Sequence, residues 1–384
     1  MTLLALRLPG RRRVSVLLLS GLACLAAGCT TPATSTRASA KEQIPTTQKQ
    51  YRLIRSGERG YQLTQVDAPV RMPGPHEVLI RVRAASLNRR DVFVMKALYP
   101  VGQRDSLVPL SDGAGEVVAV GPGVTRFRVG SRVAAIFFQR WLAGRPPADL
   151  ASSALGGSLD GMLTQYTTLS EEGVVALPRN LSFEEGATLP CAAVTAWNGL
   201  FTRGRMQPGD YVLLEGTGGV SMFGLQFAVA AGAKPIITSS SDAKLERAKT
   251  LGAFGTVNYR TTPDWDKPVL SLTGGLGVQE VLEVGGKDTL PHALASLAPG
   301  GHIALIGGLS GFGGNIPAVE LLDRNESVSG IYVGSREHFE AMNAFIAQHN
   351  LKPIIDKVFD FNDAPAAYAL MESDTFSGKI VIRL

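Results

Sequence analysis

The chain has 384 residues, of which 45% are apolar and 18% charged, enough for two domains with ordinary cores and too apolar for a disordered polypeptide. Its formal charge of +5 comes almost wholly from Arg7, Arg11, Arg12 and Arg13; beyond residue 29 there are 34 basic and 33 acidic side chains. So neutral a body has no electrostatic footprint for nucleic acid, and three cysteines, Cys24, Cys29 and Cys191, exclude a disulfide framework or a four-cysteine zinc lobe.

Residues 11–31 read RRRVSVLLLSGLACLAAGCTT. Arginines precede an apolar run from Val14 to Ala27, of signal-peptide length and too short to span a bilayer as a helix. Small residues then lead to Cys29, a pattern that resembles the lipobox of bacterial lipoproteins, in which the cysteine is lipidated. Leu25 stands one place earlier than the usual leucine. Residues 30–48, rich in Thr, Ser, Ala and Pro, read as a flexible tether. The expectation is a leader over 1–29 and a lipid anchor at Cys29 as the only membrane attachment, on the periplasmic side of a bacterial envelope. Arg12 and Arg13 suggest twin-arginine export of a prefolded protein. The alternative is a start assigned too far upstream, of a cytoplasmic protein that begins near Gln48.

From Tyr211 onward, strands and helices alternate. YVLLEG is a buried-strand run, and GTGGVSMFGLQFAVAAGA is a glycine-rich turn entering an apolar helix. KPIITSSS is a second strand, followed by the charged helix DAKLERAKTLGA; VQEVLEVGG and HIALIGGLSG are later strands that end in glycines. This alternation predicts a doubly wound parallel sheet that binds ligands at the strands' carboxyl ends. Gly216-Thr217-Gly218-Gly219-Val220-Ser221 nearly matches G-x-G-x-x-G, with Ser221 in the third glycine's place. The first glycine allows a tight turn, the second lets a pyrophosphate approach the backbone, and a small third residue lets helix and strand pack closely. The helix N-terminus supplies free N–H groups to the phosphates.

The end of the second strand selects the dinucleotide. An NAD site places an acid there for the ribose 2′-hydroxyl, whereas this chain has Ser239, Ser240 and Ser241, with Lys244 one helical turn on. Hydroxyls and a cation suit a 2′-phosphate, so NADP(H) is expected in preference to NAD(H). Asp242 stands where it can cap the following helix.

Six segments in order, AASLNRRDVFVMKALYP, PLSDGAGEVVAVGPGVTRFRVGSRV, LPCAAVTAWNGL, EGTGGVSMFGLQFA, SSSDAKLERAKTLGA and GGHIALIGGLSG, resemble the medium-chain dehydrogenase/reductases. Within that superfamily they are most similar to its zinc-independent, quinone oxidoreductase-like branch. The resemblance covers residues 49 to 384 and implies an α/β protein with a GroES-like, β-rich catalytic domain (49–178, completed by 333–384). A Rossmann domain (179–332) is inserted between the two parts, and the family's habit implies a homo-oligomer.

Zinc members of the superfamily hold their metal with Cys, His and Cys beside a Glu. Here the corresponding positions are Asn88, Ser111, Cys191 and Asp112, so no zinc is expected and Cys191 reads as a small buried residue beside the nicotinamide. The resemblance places Asn88 and Tyr99 at the substrate cleft, where either could hydrogen-bond an oxygen that gains charge. Phe93 stands where related quinone reductases often carry a second tyrosine, which leaves water as a proton source. Asp91 reads as structural, paired with Arg89 or Arg90. The resemblance also implies that Thr195 contacts the carboxamide and Tyr259 lies near the adenosine phosphate, while Gly285, Gly307 and Gly308 close strands where side chains would obstruct the dinucleotide. His76, His292, His302, His338 and His349 are scattered and form no metal-spaced pair. The expected activity is hydride transfer from NAD(P)H to a quinone, an enone or a related carbonyl. The alternatives are an alcohol dehydrogenase of the same superfamily and a non-catalytic envelope scaffold.

Overall fold

The computed structural model describes residues 43–384 except 58–59, 100–103, 312 and 314. The leader with Cys29 and most of the proposed tether lie outside the described residues. Sixteen strands follow in chain order among them. The first eight are β1 (Thr47–Arg55), β2 (Tyr61–Pro69), β3 (Glu77–Leu87), β4 (Ser106–Leu107), β5 (Asp112–Val120), β6 (Arg132–Ala135), β7 (Tyr166–Ser170) and β8 (Val174–Ala176). The next six are β9 (Tyr211–Leu214), β10 (Lys234–Ser239), β11 (Gly255–Asn258), β12 (Val278–Glu283), β13 (Leu297–Leu305) and β14 (Ser327–Gly330). β15 (Ile355–Asp360) and β16 (Lys379–Arg383) close the chain.

β1 starts two residues inside the segment expected to be tether. Gln48 is buried there, and its side-chain oxygen accepts hydrogen bonds from the Thr164 hydroxyl at 2.8 Å and the Tyr166 N–H at 2.6 Å. Those contacts fix the backbone, which Thr/Pro-rich composition alone does not reveal.

β9 to β14 form a six-stranded sheet in the order β11-β10-β9-β12-β13-β14, with every neighbouring pair parallel. This is the doubly wound arrangement, in which the order reverses between β9 and β12 and a crevice opens at their carboxyl ends. Strands such as YVLL and VQEVLE are buried on both faces because helices cover each side, which is why they read as continuous apolar runs. The helix Gly219–Ala230 turns Gly224 toward Leu214 and Leu282 of this sheet and buries Phe227 against Trp197, Phe201 and Phe345.

The second large sheet runs β15-β16-β3-β5-β6-β8, with β7 also paired to β3. β16 lies antiparallel to β3, with Ile380 opposite Leu87. The chain's last strand therefore completes a sheet begun some 290 residues earlier, and it sets Lys379 beside Asn88 at the edge of the crevice. The smaller sheet, β2-β1-β4, flanks this part of the molecule.

Candidate active site

The glycine turn joins β9 to the helix Gly219–Ala230. Gly216 has φ +71°, a left-handed conformation that L side chains rarely adopt. Gly218 differs: its φ of −76° suits any residue, and a Cβ there would meet no protein atom within 4 Å. Neither backbone conformation nor internal packing calls for a glycine at 218, so the open space above it fits a group from outside the chain. Gly218 is also the N-cap of the helix and offers no side-chain cap, leaving the first helical N–H groups to an incoming anion. A Cβ at Gly219 would lie 2.8 Å from Lys379 Cδ. Val220 is half-buried in the first turn. Ser221 is buried, and its hydroxyl donates to the Glu215 carbonyl at 2.6 Å, so a small polar residue serves where glycine is more usual. These residues fit a dinucleotide pyrophosphate.

Beneath the turn, Glu215 and Glu283 meet at the ends of β9 and β12. Glu215 accepts from the N–H groups of Val284 and Gly285. Glu283 accepts from Gly285, Gly286 and the Thr289 hydroxyl. Burial and then the neighbouring Glu283 push the Glu215 carboxyl well above the usual carboxylate range, so one proton is held between the pair.

At the end of β10 the buried Ser239 and the partly exposed Ser240 border the crevice, with no carboxylate at the strand end itself. Two expectations are corrected here. The Lys244 ammonium, expected to serve a 2′-phosphate, is already engaged: it donates to the carbonyls of Asp374 at 2.9 Å and Phe376 at 2.7 Å. The cap of the helix Asp242–Thr250 is Ser241, while Asp242 accepts from the Asn258 amide at 2.6 Å. Tyr259 is 40% exposed, and its N–H donates to the Ser239 carbonyl at 3.1 Å, which places it at the same sheet edge.

The strand-ending glycines have reasons inside the protein. A Cβ at Gly285 would lie 2.3 Å from Thr289 Oγ1, and one at Gly307 would lie 2.4 Å from the Val284 carbonyl oxygen. Gly308 Cα would be 2.7 Å from a Cβ at Gly286. At Gly285 the Thr289 side chain and at Gly307 the Val284 backbone thus call for glycine, so neither by itself marks a dinucleotide.

Across the crevice, Asn88 opens the helix Arg89–Met95, and its N–H donates to Asp91 at 2.8 Å. Asp91 is buried, lies 3.4 Å from Arg90, and has its pKa pushed up to about 6 by that burial. Its role is structural, as expected, whereas Arg89 pairs instead with Asp374. Asn88 Oδ1 accepts from Lys379 at 2.6 Å, and the same ammonium donates to the Leu87 carbonyl at 2.7 Å and lies 3.5 Å from Asp112. An ammonium only donates, so the Asn88 oxygen must face it; the amide nitrogen then points elsewhere, and it has no partner. Asp112 also accepts from the Ser111 hydroxyl at 2.7 Å and the Cys191 N–H at 3.3 Å. Cys191 is half-buried where a buried residue is expected, and desolvation of its sulfur, then Asp112, push the thiol far above its ordinary pKa. Thr195 is buried one helical turn beyond Cys191.

The superfamily's zinc positions therefore hold an amide, a hydroxyl, a carboxylate already engaged with Lys379 and one protonated thiol. That donor set does not fit a zinc ion. Among the described residues no cluster of three or more His, Cys, Asp or Glu could hold a metal. Three of the five histidines are bound to carboxylates: His76 to Glu171, His292 to Asp266 and His302 to Glu280.

Two residues at this site escape a reading of the sequence. Lys379 arrives from the last strand. Tyr332, two residues beyond β14, accepts a hydrogen bond from Tyr99 at 2.8 Å. Val333 beside it has φ +59°, a conformation that strains a β-branched residue by about 1–3 kcal/mol. The Asn198 amide holds the Val333 carbonyl at 2.8 Å. A signal for neither lies near Asn88 in the chain.

Two family models match the sequence: an alcohol dehydrogenase GroES-like domain over residues 74–179 and a zinc-binding dehydrogenase over residues 219–348. A zinc-type alcohol dehydrogenase-like protein of Schizosaccharomyces pombe is 47% identical over 316 residues, covering 81% of this chain and 91% of that protein. A quinone oxidoreductase of Pseudomonas aeruginosa is 35% identical over 240 residues, covering 62% of this chain and 67% of that protein. Among solved structures, an alcohol dehydrogenase candidate from Sinorhizobium meliloti superposes with a TM-score of 0.84 at 38% identity, covering 89% of this chain and 100% of that one.

Proposed function

Because the chain belongs to the medium-chain dehydrogenase/reductase superfamily, as a zinc-type alcohol dehydrogenase-like member, we propose that it passes hydride from a reduced nicotinamide dinucleotide to a quinone or an α,β-unsaturated carbonyl, without zinc. The observation that carries this reading is the glycine turn. Gly218 has no conformational or packing reason to lack a side chain, and the turn faces a crevice whose far wall is Asn88, Tyr99 and Cys191. The dinucleotide supplies the hydride; the residues of this chain supply position and polarisation. The Tyr99–Tyr332 hydroxyls are the donors available to an oxygen that gains charge, while Asn88 Nδ2 is buried and unpaired.

The unsuitability of Asn88, Ser111, Asp112 and Cys191 as a zinc site supports zinc-free operation. The name of the P. aeruginosa relative supports a quinone acceptor. A preference for NADP(H) rests on Ser239 and Ser240 alone, since Lys244 is engaged elsewhere. Fluorescence titration with NADPH and with NADH, elemental analysis for zinc, and an oxidation screen over quinones, enones and alcohols test these parts separately. Gly218→Val should weaken dinucleotide binding at least 100-fold, far beyond the roughly 1 kcal/mol that a poorer N-cap costs the fold, since its Cβ enters space with no protein atom within 4 Å. Undiminished binding by that variant, or one zinc per chain, would remove the reading.

A further inference from the structure

Two phenols from distant parts of the chain meet at the crevice. Tyr99 follows the helix that Asn88 opens, and Tyr332 lies at the carboxyl end of the parallel sheet, 233 residues away in sequence. Tyr332 lines a crevice of about 450 Å³ together with Gly286, Gly307 and Ile331. Its ring packs edge-on against Phe138 with centroids 4.8 Å apart, yet the residue remains 40% exposed. The backbone that presents it is held in place: the Ile331 N–H donates to Leu305 at 2.9 Å, and the strained Val333 is fixed through Asn198. Tyr332 is thus anchored on both sides, borders this crevice and keeps an exposed edge.

A phenol carries one proton. Tyr99 donates its own to Tyr332 Oη, so the proton of Tyr332 is not used within the pair and is free for a third group. Burial raises the pKa of the Tyr99 phenol, which keeps Tyr99 protonated and in the donor role. The Arg90 guanidinium lies 5.3 Å from the centre of the Tyr99 ring and anchors it from beneath.

Resting on the reductase reading above, we propose that Tyr332 is a catalytic proton donor, its O–H protonating the conjugated carbonyl oxygen of the acceptor as hydride arrives. A reduced nicotinamide dinucleotide, when bound, would supply the hydride and its two electrons and would itself be oxidised, and a C–H bond would form at the far end of the conjugated system. The C=C π pair shifts, the carbonyl π bond opens, and its electrons settle on oxygen. The Tyr332 O–H bond breaks and an O–H bond forms on the reduced acceptor. Tyr99 stabilises the resulting phenolate with the hydrogen bond it already makes, and solvent at the exposed edge of Tyr332 restores the proton. Tyr99 acts through Tyr332 and is therefore a positioning residue.

The test compares the full-length protein with Tyr332→Phe and Tyr99→Phe, which keep both rings and remove one hydroxyl each. With NADPH and an enone or quinone, Tyr332→Phe should lower kcat about 100-fold, with little change in KM. Its rate should rise as pH falls, because hydronium replaces the missing acid. Tyr99→Phe should lose about tenfold, since the acid itself remains. A second readout needs no turnover. 4-Nitrophenolate, a conjugated oxyanion, is titrated with the protein in the presence and absence of NADP+, and Tyr332→Phe should bind it about tenfold more weakly. Turnover and phenolate binding by Tyr332→Phe equal to wild type would overturn the assignment while leaving the reductase reading intact. A wild-type protein that reduces nothing in the panel yet binds phenolate through Tyr332 would remove the reductase reading and retain the donor. Equal phenolate affinity in both proteins, or none in either, would overturn the donor.

Discussion

Both walls of the crevice bury carboxylates, and they limit the buried negative charge in opposite ways. Under the glycine turn, Glu215 and Glu283 face each other with backbone N–H groups around them and hold a proton in common. Under Asn88, Asp112 is wholly buried with Lys379 at 3.5 Å, and Asp91 with Arg90 at 3.4 Å. The first wall lies where a pyrophosphate would arrive with its own negative charge, and a pair that shares a proton presents one negative charge there instead of two. The second lies where an oxygen would gain charge, and fixed cations there stabilise it while they hold the donors in place. Desolvating an ion pair is costly, so it is used where its field has a purpose, whereas a shared proton removes one of two negative charges without a buried cation.

The contrast breaks most sharply at Asp112. Asp112→Asn keeps the shape and leaves the buried Lys379 ammonium without its carboxylate. An uncompensated buried charge costs about 3–5 kcal/mol, so the urea midpoint should fall by that equivalent at constant m-value. A change below about 1 kcal/mol would mean that this ion pair behaves as an exposed one and that the two walls do not differ.

Glu215→Gln probes the other wall, with a smaller effect that depends on pH. In wild type the Glu215 proton is bound more tightly in the folded than in the unfolded chain, because burial and Glu283 raise the folded pKa. Its stabilisation is complete below the unfolded pKa and is lost as pH rises through the folded one. Glutamine can keep both the acceptor facing Gly285 and a donor facing Glu283 without titrating. Wild type and variant should match near pH 4, and the variant's thermal midpoint should exceed that of wild type increasingly as pH rises above the ordinary carboxylate range. Parallel profiles would show that no proton is shared.

The two walls also differ in how much of them the sequence discloses. The wall under the glycine turn is local: strand, turn, helix and second strand follow one another within about thirty residues, and each carries its own signal of burial, φ or capping. The other wall is assembled from β3, β5, the helical run around Cys191, the loop after β14 and the last strand. Family resemblance reached Asn88, Tyr99 and Asp112, but Lys379 meets Asn88 across 291 residues and Tyr332 meets Tyr99 across 233. No periodicity or spacing encodes such meetings. Lys244 shows the same limit from the other side, since the carbonyls that take its ammonium lie 130 and 132 residues onward. Gly285 and Gly307 were readable as glycines that closed strands, yet the reason for them, Thr289 and the Val284 carbonyl, became visible only once the strands were packed.

Cys191 gives the finest measure of the second wall's field. A thiol reacts as thiolate, and burial together with the carboxylate of Asp112 holds Cys191 in the protonated form. In a chain with Cys24 and Cys29 changed to serine, iodoacetamide at pH 8 should alkylate Cys191 at least tenfold more slowly than an exposed cysteine. Adding Asp112→Asn removes a negative charge beside the thiol and leaves the Lys379 ammonium, so alkylation should then accelerate several-fold. If the rate instead stays fixed when Asp112 is neutralised, burial alone protects the thiol. The field attributed to the Lys379–Asp112 pair would then not extend as far as the sulfur.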